Sequence, residues 1–387
     1  MKNSEITIIG GGVIGASVAY HLTEMGANDV LILEREAEQG KGSTGKATGG
    51  VRAQFETEIN IKMSLYSIGF FTKFNELIGV DCGYEPRGYL FFATEENQFD
   101  YLKKNVEKQK SLGVKGVKIV DTKTISEIAK GLNCEDIIGG SFGANDGFIN
   151  SLGVMEGFTE KSKENGAKIL METEVFSIET ANSKVKFVET NRGKIETKTV
   201  VICAGAWARD LVKTTGIDLP VEPLKRQIVW AKSEKNLPEN LPMVIDLGSG
   251  FHFRPVRDSK TEVLFAYPEA DEKPSFNTDF DESFIEKIYK RAKYRAPFLA
   301  ETNVVREKCR AGLYENTPDH HAILGGCAIE GLYFASGFSG HGVMHSPATG
   351  RALAEIILEG KANFLDVSCL SLERFTKGKL LHETAFI

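Results

Sequence analysis

A glycine-rich turn near the N-terminus limits the possible folds of this chain more than any other feature. Residues 10–15 read GGGVIG and follow 6–9, a short apolar run that is typical of a buried parallel strand. Apolar residues then recur at helical spacing up to Gly26. A second apolar run, 30–33, ends at Glu34, which lies 19 residues after the last glycine of the turn. This order of a strand, a glycine turn, a helix, a second strand and an acidic residue predicts a Rossmann-type dinucleotide-binding unit.

Each residue type in this unit has a physical role. The first glycine permits a tight turn, the second lets the backbone approach a pyrophosphate, and the third lets the helix pack on the strand. The helix N-terminus offers N–H groups and a positive dipole end to the phosphates. The acid can accept hydrogen bonds from ribose hydroxyls. The expected cofactor contacts here are Gly10, Gly12, Val13, Ile14, Gly15, Glu34 and Arg35.

Two further glycine clusters favour FAD over NAD. The small, hydroxyl-rich loop 42–52 can fold closely over an extended cofactor, whereas a simple NAD domain would continue into more βα units. A strand at 331–335 leads into a second glycine-rich loop and a helix, with Ser346 as the expected N-cap and Pro347 as the first helical residue. The remaining expected cofactor contacts are Ser43, Thr44, Gly49, Gly50, Val175, Ala204, Gly205, Trp207, Gly337, Gly340, His341, Gly342, Val343 and Met344.

Composition and spacing argue against several other classes of function. A net charge of -6 gives no basic surface for nucleic acid. The six cysteines are scattered without a CxxC pair, and His341 and His345 lack the glutamate of an HExxH motif, so no metal site is expected. No apolar run approaches the ~18 residues of a membrane span. The N-terminal apolar run is too short for a signal peptide, which predicts a cytoplasmic protein.

Four segments make the chain similar to a known family. GGGVIGASVAYHL (10–22), STGKATGGVRAQF (43–55), GLYENTPDHHAILG (312–325) and GFSGHGVMHSPATGRALAE (337–355) resemble the D-amino-acid oxidase superfamily of flavoproteins. Its members include glycine oxidase, sarcosine oxidase and dimethylglycine dehydrogenase, and the pattern is most similar to the β subunits of sarcosine oxidase and L-proline dehydrogenase. The resemblance implies hydride transfer from the carbon next to nitrogen to flavin N5, giving an imine that water hydrolyses.

The resemblance also implies an α/β fold, α+β overall, with two interleaved units. A Rossmann-type FAD-binding domain would comprise residues 1–85, 146–220 and 310–387, and a substrate-binding domain with an antiparallel sheet would comprise 86–145 and 221–309. Alternating residues independently favour strands in the second unit, and apolar residues four apart favour a helix over 281–295. The predicted strands of that unit are 89–93, 227–231, 250–254 and 263–267.

Arg52 is the first candidate to bind a substrate carboxylate. It matches the arginine with that role in monomeric sarcosine oxidase, and guanidinium groups pair well with carboxylates in partly dry sites. Arg254 and Arg310 are weaker alternatives. Tyr267 and Tyr314 are expected to cover the substrate side of the flavin.

Three departures from monomeric sarcosine oxidase affect the prediction. Gly312 stands at the place of the cysteine that links FAD covalently, so we expect non-covalent FAD. Met344 replaces a lysine that is a second carboxylate ligand, and no lysine in 262–267 matches the one credited with activating oxygen. Both lysine losses favour a dehydrogenase that passes electrons to another acceptor.

The leading hypothesis is an FAD-dependent dehydrogenase or oxidase acting on a small amino acid or secondary amine of the sarcosine, proline or glycine type. An FAD enzyme for a 2-hydroxy acid or glycerol phosphate is the first alternative. A non-catalytic flavoprotein that serves assembly or scaffolding is the second, and an NAD-dependent dehydrogenase is the third. Because the relatives most similar in pattern are subunits of complexes, a partner subunit or separate electron acceptor is also expected.

Overall fold

The computed structural model describes residues 3–383, and its helices and strands follow the apolar patterns of the sequence. The strands are β1 (Asn3–Ile9), β2 (Val30–Leu33), β3 (Gly50–Val51), β4 (Tyr89–Ala93), β5 (Val117–Val120), β6 (Gly139–Gly143), β7 (Gly147–Phe148), β8 (Lys168–Leu170), β9 (Val175–Ala181), β10 (Lys184–Thr190), β11 (Gly193–Ile202), β12 (Glu222–Lys232), β13 (Met243–Asp246), β14 (His252–Pro255), β15 (Glu262–Ala266), β16 (Asn303–Val304), β17 (Arg310–Asn316), β18 (Ile323–Gly326) and β19 (Leu332–Ser336). The helices are α1 (Val13–Glu24), α2 (Ser43–Lys46), α3 (Glu58–Thr72), α4 (Phe74–Ile78), α5 (Glu96–Ser111), α6 (Thr122–Ile128), α7 (Ser151–Glu164), α8 (Ala208–Val212), α9 (Ser283–Arg295), α10 (Pro297–Ala300), α11 (Gly342–Glu359) and α12 (Glu373–Thr376).

The first sheet has the strand order β18-β19-β11-β1-β2-β8, and its central strands are parallel. Strands β9 and β10 extend β11 as an antiparallel meander. The central strands are apolar throughout because both faces are covered. Ile8 packs in the core that includes α1, α3, α7 and α11, whereas Ile9 packs with the meander and α8.

The second sheet has the order β16-β12-β15-β14-β13-β4-β6-β5, with β17 paired to β12. Its pairs are antiparallel except for β4 with β13. Side chains alternate between its two faces, as expected for strands. Leu90 and Phe92 pack in the core that includes α9, whereas Tyr89 and Phe91 belong to a cluster on the other face.

The structure confirms the predicted fold class, with a Rossmann-type unit joined to a largely antiparallel sheet. The helix over 281–295 forms as α9, and Phe284, Ile288 and Ala292 are buried. Strand β17 lies in the range that the sequence analysis gives to the FAD unit, yet it pairs with β12 along its whole length. The chain thus crosses between the two sheets close to the site described below. The domain boundaries stay predictions.

Candidate cofactor and substrate site

The turn after β1 is shaped by close backbone contacts. Gly10 has a φ of +107°, in the region that favours glycine, and a Cβ atom there would collide with the carbonyl oxygen of Cys203 on the neighbouring strand. A Cβ on Gly15 would collide with the Gly10 carbonyl oxygen. Gly12 is the N-cap of α1. The three glycines therefore stand where a cofactor pyrophosphate would approach the helix N-terminus.

Glu34 is oriented by the backbone on both sides. Its Oε2 accepts a hydrogen bond from the Gly11 N–H at 2.9 Å, and its Oε1 accepts one from the Glu36 N–H at 3.0 Å. The carboxylate lies at the end of β2 and lines the cavity described below. An ionised carboxylate has about four lone-pair sites, and these two hydrogen bonds use only part of them. Glu34 can therefore accept further hydrogen bonds. The geometry fits an acceptor for ribose hydroxyls.

The loop 43–50 folds against the glycine turn, as expected. Thr44 Oγ1 accepts a hydrogen bond from the Val13 N–H at 3.1 Å, and Ser43 Oγ donates to the Leu313 carbonyl oxygen at 2.7 Å. Gly49 has a φ of +73°, and a Cβ on Gly50 would collide with the Tyr89 hydroxyl. Small residues are required because two sheets and the loop meet here.

A cation–aromatic contact closes the far end of the same region. The Arg35 guanidinium carbon lies 3.9 Å from the ring centroid of Trp207, which also stacks on Phe276 at 5.8 Å. Trp207 follows Gly205, whose φ is +55°. Because this end adjoins Glu34, it fits the adenosine part of a dinucleotide.

The C-terminal loop differs from the expectation in one respect. Helix α11 begins at Gly342 with His341 as its N-cap, so the expected start at Ser346 and Pro347 is wrong by about one and a half turns. Gly340, with a φ of +91°, completes the turn early enough for the helix to start there. Pro347 lacks an N–H for the Val343 carbonyl four residues before it. Ser346 Oγ donates to that carbonyl at 2.9 Å instead.

These segments enclose one elongated cavity of about 520 Å³. It runs from the glycine turn and Glu34, past loop 43–50, to the inner face of the second sheet. Most of the predicted site residues line it, and the structure therefore brings together parts of the chain more than 300 residues apart. Gly15, Gly337 and Arg254 are among the predicted site residues that do not line the cavity. The predicted residues that line it are Gly10, Gly12, Val13, Ile14, Glu34, Arg35, Ser43, Thr44, Gly49, Gly50, Arg52, Val175, Ala204, Gly205, Trp207, Tyr267, Tyr314, Gly340, His341, Gly342, Val343 and Met344.

Arg52 lies at the second-sheet end of the cavity and is only 4% exposed. Its guanidinium carbon lies 3.7 Å from the Phe55 ring centroid, and Nη1 donates to the Gln54 carbonyl oxygen. The Gln54 side chain donates to Asp146 at 2.8 Å, and Asp146 also accepts the Ala53 N–H at 2.8 Å. Burial raises the pKa of Asp146 to about 6, although Arg52 opposes this shift. This network fixes the backbone that follows Arg52.

The two predicted tyrosines occupy the same end. Tyr314 lies against Gly340, where a Cβ would meet its ring, and burial raises the pKa of its hydroxyl. Tyr267 stacks on Phe284 at 4.9 Å with nearly parallel rings, and the Arg291 guanidinium carbon lies 3.7 Å from the Tyr267 ring centroid. Both tyrosines are held by neighbours, which gives the cavity aromatic walls with fixed positions.

Arg254 and Arg310 support the cofactor loop from outside the cavity. Arg254 donates to the carbonyl oxygens of Pro255 at 2.8 Å and of Thr48, and burial lowers its pKa to about 10. Arg310 donates to the carbonyl oxygens of Lys46 at 3.2 Å and Ala47 at 3.1 Å. Together they hold the backbone at 46–48, a role that the sequence pattern alone does not indicate.

Burial favours the neutral form of two histidines at the start of α11, His341 and His345. Burial lowers the pKa of His341 well below its usual value and lowers the pKa of His345 to about 3, and the positive charge of Arg52 acts in the same direction. His345 Nε2 shares a hydrogen bond with Ser64 Oγ at 2.9 Å. His341 packs edge-on against Phe55 with ring centroids 4.9 Å apart.

Several residues that line the cavity are absent from the sequence-based list. Tyr89, Arg226 and His252 all line the second-sheet end. Tyr89 and His252 fall in runs predicted as strands, and successive side chains of a strand point to opposite faces of the sheet. The sequence does not tell which face meets the cofactor unit, because that depends on how the two sheets pack.

The comparisons with known proteins agree with this geometry. A family model described as FAD dependent oxidoreductase matches residues 5–356. FAD-dependent oxidoreductase domain-containing protein 1 of Bos taurus is 30% identical over 99% of this chain and 87% of its own length. The structure of L-proline dehydrogenase from P. horikoshii has a TM-score of 0.90 at 30% identity, covering 98% of this chain and 100% of that one.

Glycine oxidase from Bacillus cereus ATCC 14579 is a further structural neighbour. It has a TM-score of 0.80 at 28% identity, covering 93% of this chain and 96% of that chain. Within residues 3–383, no helix is both long and apolar enough to cross a membrane. The resemblance inferred from the four segments is confirmed. The chain belongs to the DAO family of FAD-dependent oxidoreductases, and its cofactor is FAD.

Proposed function

We propose that this protein oxidises the C–N bond of a small amino acid or secondary amine, of the sarcosine, proline or glycine type. The observation that carries the proposal is the buried guanidinium of Arg52 at the end of the cofactor cavity. A buried arginine beside a redox cofactor suits a ligand with a carboxylate. Relatives named as proline dehydrogenase and glycine oxidase support the same substrate class.

Each residue at this end has a proposed task. Arg52 binds the substrate carboxylate and so fixes which carbon faces the cofactor. Tyr314 and Tyr267 form the walls that orient the substrate and exclude water, and Met344 supplies an apolar contact. Bound FAD supplies the hydride acceptor. The product imine then hydrolyses in water.

We further propose that the electron acceptor is a protein or small molecule other than oxygen. Met344 stands where the resemblance places a lysine, and 262–267 contains no lysine. A positive side chain next to the flavin stabilises the negative charge that forms when oxygen is reduced. A separate acceptor, carried by a partner subunit, fits the loss of both lysines.

The test is anaerobic addition of sarcosine, L-proline, glycine and D-amino acids in turn to the purified protein. Loss of the flavin band near 450 nm with one of these supports the proposal, and readmitted air separates an oxidase from a dehydrogenase. A fully loaded preparation that none of them reduces would reject it. Reduction by a 2-hydroxy acid or glycerol phosphate alone would favour that alternative, and reduction by none would favour a scaffold role.

A further inference from the structure

A histidine outside the predicted site lies in the substrate end of the cavity. His252 begins β14, between Ile245 of β13 and Ala266 of β15 in register. It lines the cavity together with Tyr267 and Arg226. Its register neighbours are apolar, so the ring is the polar group that this part of the sheet presents to a ligand.

The tautomer of His252 follows from one hydrogen bond. Nδ1 lies 2.9 Å from the Gly250 carbonyl oxygen. A carbonyl oxygen can only accept, so Nδ1 carries the hydrogen, and in a neutral ring Nε2 is then an acceptor. Among residues 3–383, nothing donates a hydrogen bond to Nε2. The site therefore holds an imidazole acceptor with its lone pair available to a ligand.

The surroundings keep this ring neutral. Burial lowers the pKa of His252, and Arg226 of β12 lowers it further, while the Gly250 hydrogen bond opposes both. The other titratable groups at this end include Arg52, Tyr89, Tyr267 and Tyr314, and burial raises the pKa of all three tyrosines. At a pH above the usual imidazole pKa of about 6.5, His252 is therefore an uncharged base.

The proposed reaction needs such a base. An amino acid enters as a zwitterion with a protonated nitrogen, yet loss of hydride from the adjacent carbon requires the nitrogen lone pair. Arg52 and Arg226 both line this end, and their positive charges lower the pKa of a bound ammonium group toward that of an imidazole. The proton must then pass to an acceptor within reach of the substrate.

We propose that His252 accepts the ammonium proton of the substrate and is a catalytic base of this site. The N–H bond of the ammonium breaks as the Nε2–H bond forms. The freed lone pair forms the C=N bond as a hydrogen on a carbon bonded to this nitrogen leaves with its electron pair, and bound FAD would supply the hydride acceptor. The imidazolium keeps the proton while a ligand is bound, because the ligand carboxylate adds a negative charge to this end, and returns it to solvent when the ligand leaves. This inference rests on the proposed function and adds the protonation state in which the substrate is taken up.

The test compares the native protein with His252→Gln and His252→Tyr, and uses exposed His382→Gln as the matched control. The second-order rate constant of anaerobic flavin reduction is measured between pH 7 and pH 9 with the amino acid that reduces the native protein. We expect a nearly flat profile for the native protein. Without His252 only free amine is productive, so the rate rises about tenfold per pH unit and is about 100-fold lower at pH 7.

A binding measurement gives a readout that does not depend on turnover. 2-Aminoisobutyrate has no hydrogen on the one carbon bonded to its nitrogen, so it binds without reducing the flavin. An indicator dye should record little proton release with the native protein and about one proton per site with His252→Gln. Cyclopentanecarboxylate, which lacks the amine, should bind both equally. Flavin content verifies that each variant is loaded.

The outcomes separate the two proposals. Flat pH profiles and equal proton release in native protein and both variants overturn the role of His252 and leave the amine-oxidising function standing. A native protein that no amino acid reduces, and that binds none of these analogues, overturns both. If His252→Gln loses FAD, the same profile measured with His252→Tyr decides between the outcomes.

Discussion

In the proposed function, substrate recognition depends on the buried guanidinium of Arg52. Replacing it with glutamine keeps hydrogen bonding to the Gln54 carbonyl but removes the charge. We expect Arg52→Gln to lower the second-order rate constant of flavin reduction by at least about 100-fold, which corresponds to about 3 kcal/mol. Stopped-flow reduction measures it. Arg306→Gln, a variant of an exposed arginine that does not line the cavity, is the control, and equal rates for both would contradict the assignment.

Gly12 tests how closely the cofactor approaches the backbone. Its φ of −70° suits any residue, and a Cβ would meet only Thr44 Oγ1 at 3.2 Å. Gly12→Ala should therefore fold, but the methyl group should lower FAD affinity at least about tenfold, or 1.4 kcal/mol. Titration of the apoprotein by flavin fluorescence measures this. Gly69→Ala, with open space around Gly69, is the matched control, and unchanged affinity in Gly12→Ala would exclude close approach.

His21 makes folding stability depend on pH. Burial lowers its pKa to about 4, whereas the unfolded chain has the usual value of about 6.5. The unfolded state therefore binds the extra proton between these values, and the stability that is present above pH 6.5 is lost as pH falls. Between pH 7.5 and 5.0, the native protein should lose about 2 kcal/mol more than His21→Phe in urea unfolding. Equal losses would mean that His21 is protonated in the fold.

At the scale of elements, the contact between α1 and α11 joins the two glycine-rich loops. Ser17 Oγ donates to the Ser346 carbonyl oxygen at 2.7 Å. A Cβ on Gly350 would lie 2.6 Å from His21 Nδ1 and from the Ser17 carbonyl oxygen. Gly350→Ala should therefore cost about 1–3 kcal/mol of stability. Gly69→Ala in α3 should be neutral or stabilising by comparison, and a similar result for both in chemical denaturation would contradict the close crossing.

Elements were predictable where local pattern decides them. The strand runs at 6–9, 30–33 and 89–93 form at those places, because apolar and β-branched runs of this length suit few other structures. The start of α11 was not predictable in the same way. Ser346 and Pro347 are common at helix starts, but here Ser346 Oγ satisfies the carbonyl that Pro347 leaves free, so the helix continues through both.

At the scale of the whole molecule, the site lies where two sheets meet. The cofactor half was predictable from the glycine motifs, because the turn, the helix start and Glu34 are adjacent in sequence. The substrate half was predictable only through resemblance, as for Arg52. Tyr89, Arg226 and His252 reach the cavity from three strands of the second sheet, and their approach depends on packing that no local pattern records.

The most direct test of the account is the product balance of a single anaerobic turnover. The fully loaded protein is mixed with an excess of the amino acid that reduces it, and reduced flavin and carbonyl product are both counted. The account predicts one reduced flavin and one equivalent of carbonyl product, formed by hydrolysis of the imine, per active site. A flavin that stays oxidised with every amino acid, yet is reduced chemically by dithionite, would contradict amine oxidation by this protein.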